Sequence, residues 1–203
     1  MDGVPAFVTD PADTREAIMQ ATYLALCEHG YADLTIQRIG DEFEKSKSLL
    51  YHHYEGKDEL LLDFLEFMLD RFEETVPVDE DAGADAVLDA MLDHVLLAPH
   101  DGERGDFFAA LVELRAQSAH DPAYRDHFSR SDRFFQKRLA ELVRAGMDEG
   151  VFREVDPEAT ALFLQAFVGS AMFMRATSDQ DEDVGRTLRD EFDAYLRCRL
   201  FVD

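Results

Sequence analysis

The sequence predicts an all-α protein, with a small three-helix N-terminal module followed by a larger helical bundle. Three observations point there. Apolar residues make up 46% of the 203-residue chain and recur at three- and four-residue spacing along most of it. Gly30, Gly56, Pro77, Pro99, Pro122, Gly150 and Pro157 fall between those runs, where helices begin and end. No alternating apolar and polar run bounded by turn residues predicts a strand, and no repeat period stands out.

Residues 1–12, with Pro5 and Pro11, read as a flexible arm. Asp13 or Thr14 then caps a helix running to about His29, with Ile18, Ala21, Ala25 and Leu26 on one face and Gly30 as its stop. Thr35 is placed to cap a two-turn helix whose face is Ile36, Ile39, Gly40 and Phe43. Ser46 is placed to cap a third, running to about Tyr54, and Gly56 breaks it. This module spans residues 13–56. The body, residues 57–203, opens with a long helix from Lys57 to Glu74 carrying Leu61, Phe64, Leu65 and Met68 as a stripe. Further helices are predicted at about 84–98, 104–119, 122–148, 156–176 and 182–201. An acidic low-complexity patch, Asp79 to Asp85, precedes the first of them.

The segment Ala159 to Met174 is apolar almost all round, which predicts burial on more than one side. The last helix carries the narrower stripe Leu188, Phe192, Tyr195 and Leu196. Paired with their copies, these two helices would form a four-helix homodimer interface through Phe163, Phe167, Leu188, Phe192 and Tyr195.

A formal charge of −24 would ordinarily argue against a nucleic-acid partner. Its distribution reverses that. Three of the four lysines, Lys45, Lys47 and Lys57, fall in one thirteen-residue window whose single acid is Glu55. Elsewhere the positive charge is nearly all Arg, and this Lys-poor acidic composition resembles that of proteins from salt-loving microbes. Cys27 and Cys198 lack paired-Cys spacing and read as buried thiols, so neither a disulfide nor a zinc motif is expected. The first dozen residues lack a basic start followed by an apolar run, and no stretch of eighteen apolar residues occurs. A cytoplasmic protein with no membrane partner is expected.

The function-bearing segment is Thr35 to Lys57, TIQRIGDEFEKSKSLLYHHYEGK. A helix-turn-helix needs a short second helix laid into the major groove by the first, with polar side chains near its start reaching base edges. Ser46 to Tyr54 suits that role. Leu50 and Tyr54, one turn apart, can anchor the helix while Lys47, Ser48, Tyr51 and His52 face another way. Adjacent His52 and His53 point about 100° apart on a helix and do not converge on one metal. No phosphate loop, nucleophile elbow or HExxH occurs, so no enzyme activity, cofactor or metal is expected.

In order and spacing this segment, with ATYLALCEHGY upstream, resembles the TetR/AcrR family of transcriptional regulators over about residues 14–65. The resemblance implies a ligand-responsive repressor that binds a palindromic DNA operator as a homodimer. It places Lys47 and Ser48, at the Ser46 opening, close to bases. Tyr51 and His53 would contact the backbone, with His52 also toward DNA, and Lys57 would meet a phosphate at a helix N-terminus. Thr35, Gln37 and Arg38 would flank the groove, and Asp58 and Glu59 are expected to turn away. Two positions depart from the family pattern. Glu44 stands where the turn usually has Gly, so the turn must accept a side chain, through a positive φ at some cost or through a different shape. Leu49 replaces a small polar residue; it either meets a thymine methyl or joins the core, and core is favoured.

In the body, the resemblance implies a pocket for a small apolar effector. Candidate lining residues are Phe64, Met68, Phe107, Phe108, Leu111, Phe134, Phe163, Phe167 and Met172, with Arg115, His94 and Glu113 as polar partners. His94, His100, His120 and His127 otherwise read as surface or satisfied core groups. The alternative function is a helical ligand-binding or scaffold protein whose DNA module no longer binds.

Overall fold

The computed structural model describes residues 10–75, 82–97, 103–178 and 182–202, and among these residues the regular structure is helical, with one isolated β-bridge besides. The helices are α1 (Thr14–Asp33), α2 (Ile36–Glu42), α3 (Lys47–His53), α4 (Lys57–Thr75), α5 (Ala84–Leu96), α6 (Glu103–Gln117), α7 (Pro122–Asp148), α8 (Pro157–Thr177) and α9 (Glu182–Arg199). The arm up to residue 9, His100, Pro77, Pro99 and the acidic residues 79–81 lie outside the described residues.

Local chemistry accounts for the boundaries. The Asp13 side chain caps α1 by accepting from the Glu16 N–H at 2.9 Å. Gly30, at φ 63° and ψ 172°, interrupts α1 where an L side chain would be strained, and the last residues re-form a turn beyond it. Thr35 caps α2 by accepting from the Arg38 N–H at 3.2 Å. Phe43, expected inside that helix, is its C-cap and is still buried against the module's core.

The chain divides into two compact units. The first comprises Met1–Thr75 and His100–Ser129, the second Val76–Pro99 and Arg130–Asp203, so α7 supplies residues to both. The first core joins Ile18, Met19 and Leu26 of α1, Ile39 of α2, Leu50 of α3, Leu60, Leu61 and Phe64 of α4, Leu114 of α6 and Tyr124 of α7. The helix-turn-helix is thus one side of a six-helix core rather than a separate globule. Buried His127 sits in this unit with Nδ1 3.2 Å from Glu66.

The second core is built from Leu88, Leu92 and Leu96 of α5, Val143 of α7, Ala161 and Leu164 of α8, and Phe192 and Leu196 of α9. Arg189 is buried there and ion-paired with Asp89 at 2.9 Å, Asp93 at 2.7 Å and Asp193. Past α9, Phe201 bridges antiparallel to Phe152 and stacks on its ring at 5.5 Å. Cys27 is partly buried against the first core, but Cys198 is exposed, against expectation. Leu196 takes the core position on α9, and two residues further round the helix points away from it. Helix α8 is long and apolar enough by composition to cross a membrane, with few of its apolar positions buried in the chain itself. Leu162, Phe163, Phe173 and Met174 of α8 and Tyr195 of α9 are exposed.

Candidate nucleic-acid interface

Helix α3 is held from beneath at three points. Leu50 is fully buried, and Leu49 is partly buried against the same core, the outcome favoured for it. Tyr54, the C-cap of α3, donates its hydroxyl to Asp63 Oδ2 at 2.5 Å. Asp63 also accepts from Arg15 at 2.8 Å, so a single carboxylate on α4 ties α1 to the end of α3. Burial first, and then the Asp63 carboxylate, hold the Tyr54 phenol well above its ordinary range, so it remains a donor. The support helix approaches closely too. A Cβ at Gly40 would lie 3.3 Å from Lys47 Cγ and 3.5 Å from Leu50 Cδ1, tight enough that neighbours would have to give.

The turn between α2 and α3 accommodates Glu44 by a different shape rather than by a positive φ. No non-glycine residue among those described has a positive φ. The chain turns instead through extended backbone at Phe43 (φ −86°, ψ 112°) and Ser46 (φ −66°, ψ 122°), and Glu44 sits exposed without left-handed strain. Ser46 occupies the N-cap position of α3, but its hydroxyl lies 2.7 Å from Ser48 Oγ and makes no capping bond. The neighbouring hydroxyl has taken the place of the helix N–H.

With Leu50 and Tyr54 inward, α3 turns Lys47, Ser48, Tyr51, His52 and His53 to solvent, joined by Ser46 and by Gln37 and Thr35 of the support helix. Tyr51 is 54% exposed, a high value for a large aromatic residue with no structural task there. The His52 and His53 rings meet edge to face at 5.5 Å. Arg38 is half-buried and donates to the Asp33 carbonyl.

The three lysines are each engaged within the module. Lys45 donates to Thr14 Oγ1 at 3.0 Å, and Lys47 pairs with Asp41. Half-buried Lys57 donates to the Tyr31 carbonyl at 2.9 Å with its ammonium 4.2 Å from the Tyr31 ring centroid. Asp58 and Glu59 are directed within the unit: Asp58 accepts from Tyr31 at 3.2 Å and Tyr124 at 3.1 Å, and Glu59 accepts from the Glu55 N–H at 2.7 Å. Burial, then Asp58, raises both phenols above their ordinary range.

The nine candidate pocket residues fall in different units. Phe64 and Phe107 are buried in the first core with ring centroids 6.1 Å apart, and Met68, Leu111 and Phe108 are partly buried near them. In the second unit Phe134 meets Phe135 edge to face at 5.3 Å, Phe167 stacks on Phe192 at 3.8 Å, and Phe163 stacks on Tyr195 at 4.8 Å, with Met172 half-buried. Glu113, read as an effector partner, accepts from the Tyr31 N–H at 2.6 Å. Asp41, Asp63 and Arg15 were absent from the sequence-derived site, and Glu113 was assigned to the effector rather than to Tyr31, because their partners lie on other helices and no spacing along the chain marks them.

Residues 18–64 match the model for bacterial regulatory proteins of the tetR family, and residues 84–169 match the BetI-type transcriptional repressor C-terminal model. A solved TetR transcription regulator from Haloarcula marismortui is 38% identical, covering 92% of this chain and 97% of that one with a TM-score of 0.80. The chain belongs to the TetR family of transcriptional regulators. This TetR-family regulator is also 28% identical to the HTH-type transcriptional repressor AcnR of Corynebacterium efficiens, over 88% of this chain and 90% of that one. A solved regulator from Saccharomonospora viridis in complex with choline shares the fold at 21% identity and a TM-score of 0.77, covering 93% of this chain and 98% of that one. The regulator is accordingly a DNA-binding protein, and residues 18–64, matched to the family's N-terminal model, include α2 and α3.

Proposed function

We propose that this regulator is a cytoplasmic, ligand-responsive repressor that binds a palindromic operator as a homodimer. The observation that carries the reading is the solvent face of α3, where Tyr51 stands out from a helix pinned by Leu50 and Tyr54. In the major groove, Lys47 and Ser48 lie close to base edges, Tyr51 contacts the DNA backbone, and His52 also faces the DNA. Ser46, Thr35, Gln37 and Arg38 flank the groove, and His53 and Lys57 lie toward the DNA backbone.

Dimerisation through α8 and α9 is supported by the exposed apolar side chains Leu162, Phe163, Phe173, Met174 and Tyr195, whose burial against a second copy would be favourable. The effector is a small apolar molecule. Met68, Phe108 and Leu111, partly buried on one unit, are where its contacts are to be sought. Binding there would favour a conformation of the dimer whose two reading helices no longer match successive major grooves.

Footprinting of the DNA upstream of its coding region, in concentrated potassium chloride, tests the reading. A protected palindrome that Tyr51→Ala weakens about ten-fold (about 1.4 kcal/mol) is expected. Absence of any protected site at every salt would favour the helical ligand-binding alternative.

A further inference from the structure

Among the described residues, Lys47 is the one lysine of the reading module whose ammonium is paired with a carboxylate. Lys45 ends on a hydroxyl and Lys57 on a carbonyl and a ring, both of which leave the cationic charge standing. The stem of Lys47 runs over Gly40, with Cγ and Cδ 3.3 and 3.4 Å from where a Cβ would be, and its end reaches Asp41 one residue further along α2. Glycine at position 40 therefore leaves room for the lysine stem on its way to that aspartate. The pair is partly exposed, with side-chain accessibilities of 46% for Lys47 and 56% for Asp41, so a phosphate oxygen could reach the same ammonium.

We propose that Asp41 is an affinity-setting residue that competes with the DNA backbone for Lys47. The inference rests on the proposed reading of DNA by α3. In the free regulator the Asp41 carboxylate occupies the position a phosphate would take on Lys47. Binding DNA exchanges one anionic partner for another and leaves an unpaired aspartate beside the phosphates. Lys47 then contributes little to non-specific attachment, because any phosphate must first displace Asp41. The exchange also lessens the dependence on salt, since the neutralised lysine holds no long-range attraction for screening to remove. In this way an acidic regulator can keep a lysine at its reading head without making binding depend on dilute salt.

The test is a double-mutant cycle of Asp41→Asn and Lys47→Met. DNA affinity is read by fluorescence anisotropy on the footprinted DNA and on unrelated duplex DNA, across a potassium chloride series. Asp41→Asn should tighten binding to both DNAs about three- to ten-fold and steepen the slope of log affinity against log salt by about 0.9. In the Lys47→Met background the same substitution should do nothing. Asp41→Ala should reproduce Asp41→Asn, and thermal melting of each variant confirms that the module is folded. Unchanged or weaker binding by Asp41→Asn would overturn the proposal. So would a gain of equal size without Lys47, which would make Asp41 a general repulsive charge. Failure of every form, wild type included, to bind any DNA would sink the reading of DNA by α3 and this proposal with it.

Discussion

Tyr54 joins sequence pattern to mechanism, because one side chain is at once the C-cap of the reading helix, part of its buried edge and a donor to Asp63. Its raised pKa has a direct consequence for stability. A phenol whose folded pKa lies above the unfolded value of about 10 contributes stability that is full below pH 10 and lost as pH rises through the folded value. Removing the hydroxyl by Tyr54→Phe should cost about 1 kcal/mol at neutral pH, discounted for partial exposure, and flatten the alkaline fall. Melting curves from pH 8 to 11 check both; an unchanged alkaline slope would argue that Tyr54 has no share in it. The Leu50 and Tyr54 anchor was legible in the sequence because i, i+4 spacing fixes a shared face. Asp63 and Arg15 were not, since their pairing depends on how α4 crosses α1. At Glu44 the residue type left two routes open, a positive φ or a turn of different shape, and extended backbone at positions 43 and 46 supplied the second.

At the scale of elements, helix positions were readable to within about two residues, because caps, glycines and prolines act locally; the exception is α1, which resumes past its kink at Gly30 and ends at Asp33. Faces were harder. The segment Ala159 to Met174 was expected to be apolar on more sides than one chain can cover and the last helix to carry a narrower stripe; Phe163, Phe173 and Tyr195 are exposed in the single chain. Phe192, grouped with them as an interface residue, is buried and serves instead as the platform on which Phe163 and Phe167 stack. The interface proposal therefore makes a divided prediction. Phe163→Glu should shift the regulator from dimer to monomer in sedimentation while its melting temperature, measured on the monomer, stays near that of wild type. Phe192→Ala should lower stability by about 3 kcal/mol or more whatever the assembly, as a core truncation does. A Phe163→Glu protein that remains dimeric would move the interface elsewhere.

Over the whole molecule the governing quantity is charge. A chain at −24 repels itself, and concentrated salt screens that repulsion over distances beyond about 3 Å. Its melting temperature should therefore rise between 0.2 and roughly 2 M potassium chloride, a trend that calorimetry would show and that a flat or falling profile would refute. The same screening weakens phosphate attraction, so specific DNA binding in such salt has to come from hydrogen bonds, apolar contacts and the avidity of two linked reading helices. Few lysines at the reading head, each already engaged within the module, suit that regime.

The most direct test of the account is the footprint of wild type and Tyr51→Ala on the DNA upstream of the coding region, recorded in roughly 2 M potassium chloride, where long-range attraction is absent. A palindromic protected site is expected for the wild type, with affinity falling about ten-fold in Tyr51→Ala. A site protected equally by both proteins, or protection that vanishes for the wild type above moderate salt, would contradict it.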